Sequence, residues 1–197
     1  METILKVGCE RIMRVFYKEK FKNIHLREIA RMTKMNENST TRFLKMLEGG
    51  GMLESFKEGN LKKYSIKKGK KIFSLFSLFD SIEFEKLPSK IKRAIEMFYS
   101  KLAEKPIFLV LFGSFAKGNF REESDIDLLS VFNKKINTNT AEAYSEAQTG
   151  VRISCIAIDY GSFLRELKIK DDKVIASAVN SGYPVLNHIK YYEEVLK

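Results

Sequence analysis

Two carboxylates and a glycine-serine pair are the residues of this chain best placed to do chemistry. Asp125 and Asp127 stand two apart at the head of an apolar run that ends at Phe132. Side chains in a strand alternate between faces, so both carboxylates are expected on one side, with Ile126 and Leu128 on the other. Upstream, residues 107–112 are continuously apolar, as in a strand buried on both faces, and Gly113-Ser114 breaks that run. Ser114 is suited to cap a following helix, whose free N–H groups and positive dipole end attract phosphate. Two hard oxygen ligands beside a phosphate-cradling turn are what Mg²⁺-assisted phosphoryl or nucleotidyl transfer requires. A capping serine and a solvated Asp-x-Asp would give the same letters without the chemistry.

The full spacing narrows the choice. Gly113, Ser114, Gly118, Ser124, Asp125 and Asp127 fit the pattern Gly-Ser-x3-Gly-x5-Ser-Asp-x-Asp. This resembles the DNA polymerase β-like nucleotidyltransferase superfamily, and within it the minimal nucleotidyltransferases. The resemblance implies that Gly113 and Ser114 contact the triphosphate, and that Asp125 and Asp127 are catalytic and bind Mg²⁺ (or Mn²⁺). Lys117, one turn into the expected helix, can add a phosphate contact or be simply solvated. The superfamily also implies a third carboxylate on the adjacent strand, as metal ligand and proton acceptor. Here that strand, residues 151–158, has no acid; Ser154 lies in the relevant region. Asp159, at its far end, serves only if the register is shifted; capping a helix ahead of Gly161-Ser162 is the other role open to it.

Composition bounds the rest. The 197 residues suffice for two small domains, and 44% hydrophobic with 30% charged residues is ordinary globular usage. The net charge of +10 is uneven: residues 1–72 carry 18 Lys/Arg against 8 Asp/Glu, and the remainder carries 17 of each. A polyanion partner is therefore expected for the N-terminal part alone. Cys9 and Cys155, far apart in apolar surroundings, suit a reducing compartment rather than a disulfide framework. With His25 and His188 as the only histidines, a His/Cys zinc site is not expected. Neither a membrane span nor a signal peptide is legible, so a cytoplasmic protein with no membrane partner is expected.

The basic third has a recognisable order. Helical spacing predicts helices over residues 4–20 and 25–33, then a third capped by Ser39 that buries Thr40, Phe43, Leu44 and Leu47. Thr41, Arg42 and Lys45 fall on its opposite face, and Gly49-Gly50-Gly51 ends it. Two short strands flank Gly59-Asn60, a hairpin signal that sets Lys57 opposite Lys62. Three helices and a hairpin resemble the winged helix-turn-helix family of DNA-binding domains. That resemblance implies double-stranded DNA as partner, with Thr41, Arg42 and Lys45 on the helix that enters the major groove and Lys57 and Lys62 on the wing. Lys67, Lys68, Lys70 and Lys71 then close the domain as a solvated linker or an auxiliary phosphate contact.

The expected organisation is a winged helix over residues 1–71, a connecting helix over 72–88, and a small polymerase β-like nucleotidyltransferase α/β domain over 89–197. Ile72, Leu75, Phe76 and Phe79 make a connector stripe too apolar for a free linker; packing within the chain and a homodimer contact both fit it. Pro88 is expected to open a helix, and residues beyond Asp159 read as helices interrupted near Gly182-Tyr183-Pro184. Two functions follow. One is Mg²⁺-dependent transfer of a nucleoside monophosphate from NTP to a hydroxyl of a small molecule or protein, for instance the toxin partner of an antitoxin-like chain. The other is a transcriptional regulator whose nucleotidyltransferase-like domain binds nucleotide but is catalytically degenerate.

Overall fold

The computed structural model describes residues 5–197. The chain divides between Phe79 and Asp80 into two compact units. The N-terminal unit begins with helix α1 (Val7–Lys18), followed by strand β1 (Ile24–His25), α2 (Leu26–Thr33) and α3 (Glu37–Gly49). The hairpin β2 (Leu53–Glu58) and β3 (Leu61–Ile66) comes next, and then helix α4 (Lys70–Glu85). The sheet order is β1-β3-β2, with β3 antiparallel to both neighbours. Ile12, Met13, Phe16, Ile29, Leu44, Leu47 and Leu53 form the core under this winged-helix arrangement.

Two local expectations need correction here. The third helix is capped by Asn36, whose side-chain oxygen accepts the Ser39 N–H at 2.8 Å; Ser39 already lies inside the helix. Asparagine caps as well as serine does, and the earlier residue wins because Thr40 bonds back to the Asn36 carbonyl. Phe43 is half-buried rather than fully buried. The connector stripe packs within the chain: Tyr17 meets Phe76 and Phe79 edge-on at 5.4 and 5.5 Å, and the Arg14 guanidinium lies over the Phe79 ring. The first half of α4 thereby buries its apolar stripe on α1.

The second unit is a four-stranded mixed sheet in the order β6-β5-β4-β7. Helix α5 (Ser89–Lys101) leads into β4 (Phe108–Phe112), the short α6 (Gly113–Lys117) and β5 (Ile126–Phe132). Helix α7 (Asn139–Thr149) crosses over to β6 (Ile153–Asp159), which runs parallel to β5. Helices α8 (Tyr160–Ile169) and α9 (Lys173–Ser181) precede β7 (Tyr183–Leu186) and α10 (His188–Val195). Ile126, Leu128 and Phe132 pack with Ile91, Phe98 and Ala141 on the α5/α7 side of the sheet. On the other side Phe108 meets Phe163 of α8 and Tyr191 of α10, both edge-on.

The interruption predicted at Gly182-Tyr183-Pro184 falls between α9 and α10 as expected, and it takes the form of a strand. It adds antiparallel to β4 as an edge, a position that tolerates proline's missing N–H. Asp80 is fully buried on α4. It accepts the Tyr192 hydroxyl at 2.8 Å and lies 3.0 Å from His188 Nδ1, which ties both ends of the unit to one carboxylate. Among the described residues no helix is long and apolar enough to cross a membrane.

Candidate functional site

Antiparallel pairing of β4 with β5 sets Phe112 opposite Asp127, so the chain leaving β4 at Gly113 turns directly over that carboxylate. Gly113 has φ +71°, and a Cβ built on it would lie 2.0 Å from Asp127 Oδ2. Glycine is needed twice over, for the left-handed backbone and for the close approach. Five residues later Gly118, also at φ +71°, ends α6 with its N–H turned back to Phe115 and Ser114. The loop beyond is stapled by Ser124, whose hydroxyl accepts the Arg121 N–H at 2.9 Å while its own N–H returns to the Arg121 carbonyl. That staple delivers Asp125 to the head of β5.

The predicted capping role of Ser114 fails. Helix α6 starts one residue earlier, at Gly113; its cap position is Phe112, and no side chain caps it. Ser114 therefore sits within the first turn, half-buried beside Gly113. Lys117 is exposed at the other end of α6.

The two aspartates differ in environment. Burial, and then the neighbouring Asp125 charge, push the Asp127 carboxyl above the usual carboxylate range. Asp127 is half-buried, with no hydrogen-bond or ion-pair partner among the described residues. Asp125 is half-buried too, with Arg152 Nε 3.8 Å from its Oδ2. A carboxylate out of full solvent and without a hydrogen-bond partner is suited to a cation. With Asp125 alongside it, the donor set offers the oxygen ligands that a hard divalent cation takes.

The parallel register of β6 decides the third acid. Ser154 stands opposite Asp127, where the superfamily pattern calls for a carboxylate. Asp159 stands opposite Phe132, five residues from Asp127 and roughly 16 Å along the sheet. An odd offset also turns it to the other face. Its carboxylate caps α8 by accepting the Ser162 N–H at 2.9 Å, and bonding from Ser162 holds it below the usual range. Arg152, two residues before Ser154, was not flagged from the sequence, because only the folded chain brings it beside Asp125.

In the N-terminal unit Arg42 and Lys45 are exposed on α3, with the Arg42 guanidinium 4.9 Å from the Phe43 ring centre. Thr41 is half-buried and its hydroxyl donates to the Glu37 carbonyl. Lys57 and Lys62 face each other across the hairpin as expected. Lys62, however, pairs with Glu48 of α3 at 3.3 Å, which leaves Lys57 as the more available charge.

Residues 90–188, which hold Gly113, Ser114, Asp125 and Asp127, match the family described as polymerase beta, nucleotidyltransferase. The chain belongs to that family. Three solved structures share parts of its fold at low overall similarity. A homodimeric winged helix-turn-helix DNA-binding domain from Mycobacterium bovis is 26% identical, over 40% of this chain and 68% of that one, with a TM-score of 0.34. A zinc-responsive MarR family member from Lactococcus lactis is 18% identical, over 51% of this chain and 75% of that one, with a TM-score of 0.32. A structure described as a nucleotidyltransferase from Sulfolobus solfataricus is 25% identical, over 50% of this chain and 82% of that one, with a TM-score of 0.28. No curated protein shows significant similarity to the chain.

Proposed function

We propose that this polymerase β-family chain is a DNA-binding regulator whose nucleotidyltransferase domain takes up a nucleoside triphosphate with Mg²⁺ or Mn²⁺. The observation that carries the reading is Gly113 seated on the Asp127 carboxylate. A turn that admits no side chain, held against a half-buried carboxylate without a partner, suits a phosphate chain and a cation together. Gly113 and Ser114 offer N–H and hydroxyl groups to the phosphates, Lys117 offers a charge, and Asp125 and Asp127 offer oxygens to the metal. The bound cation would neutralise the phosphate charge and polarise the phosphoryl oxygens. In the N-terminal domain Arg42 and Lys45, with Thr41 beside them, are the residues proposed to meet the DNA major groove. Lys57, backed by Lys62, is proposed to meet the phosphate backbone.

Nucleotidyl transfer needs more than binding. The acceptor oxygen must bond to the α-phosphorus as the bond to pyrophosphate breaks, and a base must take the acceptor's proton. Ser154, opposite Asp127, supplies neither a strong metal ligand nor a base, and Asp159 is committed to α8. That register favours nucleotide sensing over efficient transfer.

The test combines calorimetry with labelled NTPs, Mg²⁺ or Mn²⁺, and lysate from the native host. Wild-type chain should bind NTP only with metal, lose binding on the double change Asp125→Asn and Asp127→Asn, and transfer little label. Ser154→Asp should raise transfer on the order of a hundredfold. Undiminished binding by the double variant would remove the site. Robust transfer by the wild-type chain to a lysate protein would replace sensing with catalysis on a protein acceptor.

A further inference from the structure

We infer that the nucleotide site takes one divalent cation rather than two, and that Arg152 supplies the remaining positive charge as a direct ligand of the nucleotide's phosphates. The inference rests on the nucleotide-binding reading above and specifies its stoichiometry.

Its first ground is the donor set. Among the described residues no group of three or more His, Cys, Asp or Glu side chains is gathered that could hold a metal. Asp125 and Asp127 can enclose one cation, but a pair of cations needs further carboxylates to divide its charge. The second ground is where the missing acid's neighbour lies. Parallel pairing sets Ser154 beside Asp127 and Ile153 beside Ile126, and just ahead of those paired residues Arg152 Nε lies 3.8 Å from Asp125 Oδ2. The Ile126 N–H donates to the Arg152 carbonyl at 2.9 Å, which fixes the backbone from which that guanidinium projects. The segment that lacks a carboxylate beside Asp127 therefore brings a cationic side chain beside Asp125. Two aspartates and one arginine leave a single net negative charge at the mouth, and a second bare dication there would lie against a guanidinium.

The third ground is the looseness of the present pairing. Arg152 Nε is 3.8 Å from Asp125 Oδ2, beyond hydrogen-bond reach, and its side chain is 69% exposed. Exposed pairs of this kind are weak and exchange partners readily. A cation drawn to Asp125 and Asp127 takes over the carboxylate that Arg152 now faces. The freed guanidinium then lies next to the phosphates that arrive with the metal. Its planar fork matches phosphate oxygens two at a time, which a lysine ammonium does not do.

The test uses the full-length chain, Mn²⁺ and ATP in equilibrium dialysis, with bound Mn²⁺ counted by electron paramagnetic resonance. Wild-type chain should hold one Mn²⁺ per bound ATP. Arg152→Ala should weaken ATP binding about tenfold or more, yet bind Mn²⁺ alone at least as well as wild type, because a competing cation is gone. Arg152→Lys should restore only part of the ATP affinity. Two Mn²⁺ per ATP in the wild type, or unchanged ATP affinity in Arg152→Ala, overturns the inference while leaving the nucleotide site standing. No ATP uptake by wild type, or undiminished uptake after the double change Asp125→Asn and Asp127→Asn, overturns the nucleotide site and this inference with it.

Discussion

Replacing Gly113 with alanine tests the geometry on which the site depends. The added Cβ would lie 2.0 Å from Asp127 Oδ2, and real Cβ atoms essentially never come within 3.0 Å of another heavy atom. The carboxylate or the turn must therefore yield by about 1 Å, against the ±0.2 Å or so within which metal-ligand distances are held. Alanine at φ +71° also carries a left-handed backbone penalty of roughly 1–2 kcal/mol, and overpacking adds about 1–3 kcal/mol. Gly118 is a matched control, with the same φ of +71° and nothing within 4 Å of its built Cβ. Gly118→Ala should incur only the backbone penalty and keep metal-dependent NTP binding. Gly113→Ala should be less stable in urea by a further 1 kcal/mol or more and lose that binding by calorimetry. Because the clash is with one side chain, Gly113→Ala combined with Asp127→Ala should recover stability beyond additivity, with a coupling of about 1 kcal/mol or more. Equal stabilities for the two glycine variants, with wild-type NTP affinity in Gly113→Ala, would refute this account of the turn.

Three other perturbations address the rest of the chain. Duplex DNA affinity, read by fluorescence anisotropy, should fall steeply with salt and drop roughly 1–3 kcal/mol in Arg42→Ala; Lys57→Ala should weaken binding more than Lys62→Ala, and equal losses would deny that the Glu48 pair restrains Lys62. Asp80→Ala takes the buried carboxylate away from the Tyr192 hydroxyl and His188 and should cost about 3 kcal/mol in urea melts; a loss under about 1 kcal/mol would mean water replaces the carboxylate. Burial opposes ionisation of Glu194, yet Lys190, Lys197 and Tyr160 outweigh it and hold its carboxyl at about 2. An unfolded glutamate titrates near 4.3, so this stabilisation is full above roughly pH 5 and lost as pH falls towards 2. Urea melts of Glu194→Gln should be weaker than wild type at pH 7 and converge with it only near and below pH 2; parallel curves would remove Glu194 from the acid response.

What the sequence disclosed tracks how local each determinant is. The uniform apolar run into Phe112, the glycine at position 113 and the Asp-x-Asp period are all set within a few residues, and β4, α6 and β5 formed where they pointed. Helices α1 to α3 were legible for the same reason, through their spacing of buried residues. Strand β7 was not, because four residues containing Pro184 have no period of their own and become a strand only by pairing with β4. The helix caps failed by a small margin: at α3 Asn36 takes the position ahead of Ser39, and α6 starts one residue before Ser114 with no side-chain cap. The fate of the stripe on α4 was undecidable in one dimension, since its partner Tyr17 lies more than fifty residues away.

The site divides along the same line. Gly113, Ser114, Asp125 and Asp127 could be read because their spacing is contained in one strand-turn-strand segment. Arg152 could not, because it meets Asp125 only after a crossover through α7 and a choice of parallel register. That register also closes the question of the third carboxylate more firmly than distance alone. A one-residue slip of β6 would turn Ser154 to the opposite face and bring Ile153 or Cys155 beside Asp127, neither of which is an acid. Bringing Asp159 level would need a five-residue slip, which would drag Ile153, buried in the core, off the end of the sheet and strip the N-cap from α8. No sliding of the strand restores an acid here. A carboxylate on this rung has to come from substitution, from the acceptor molecule, or not at all.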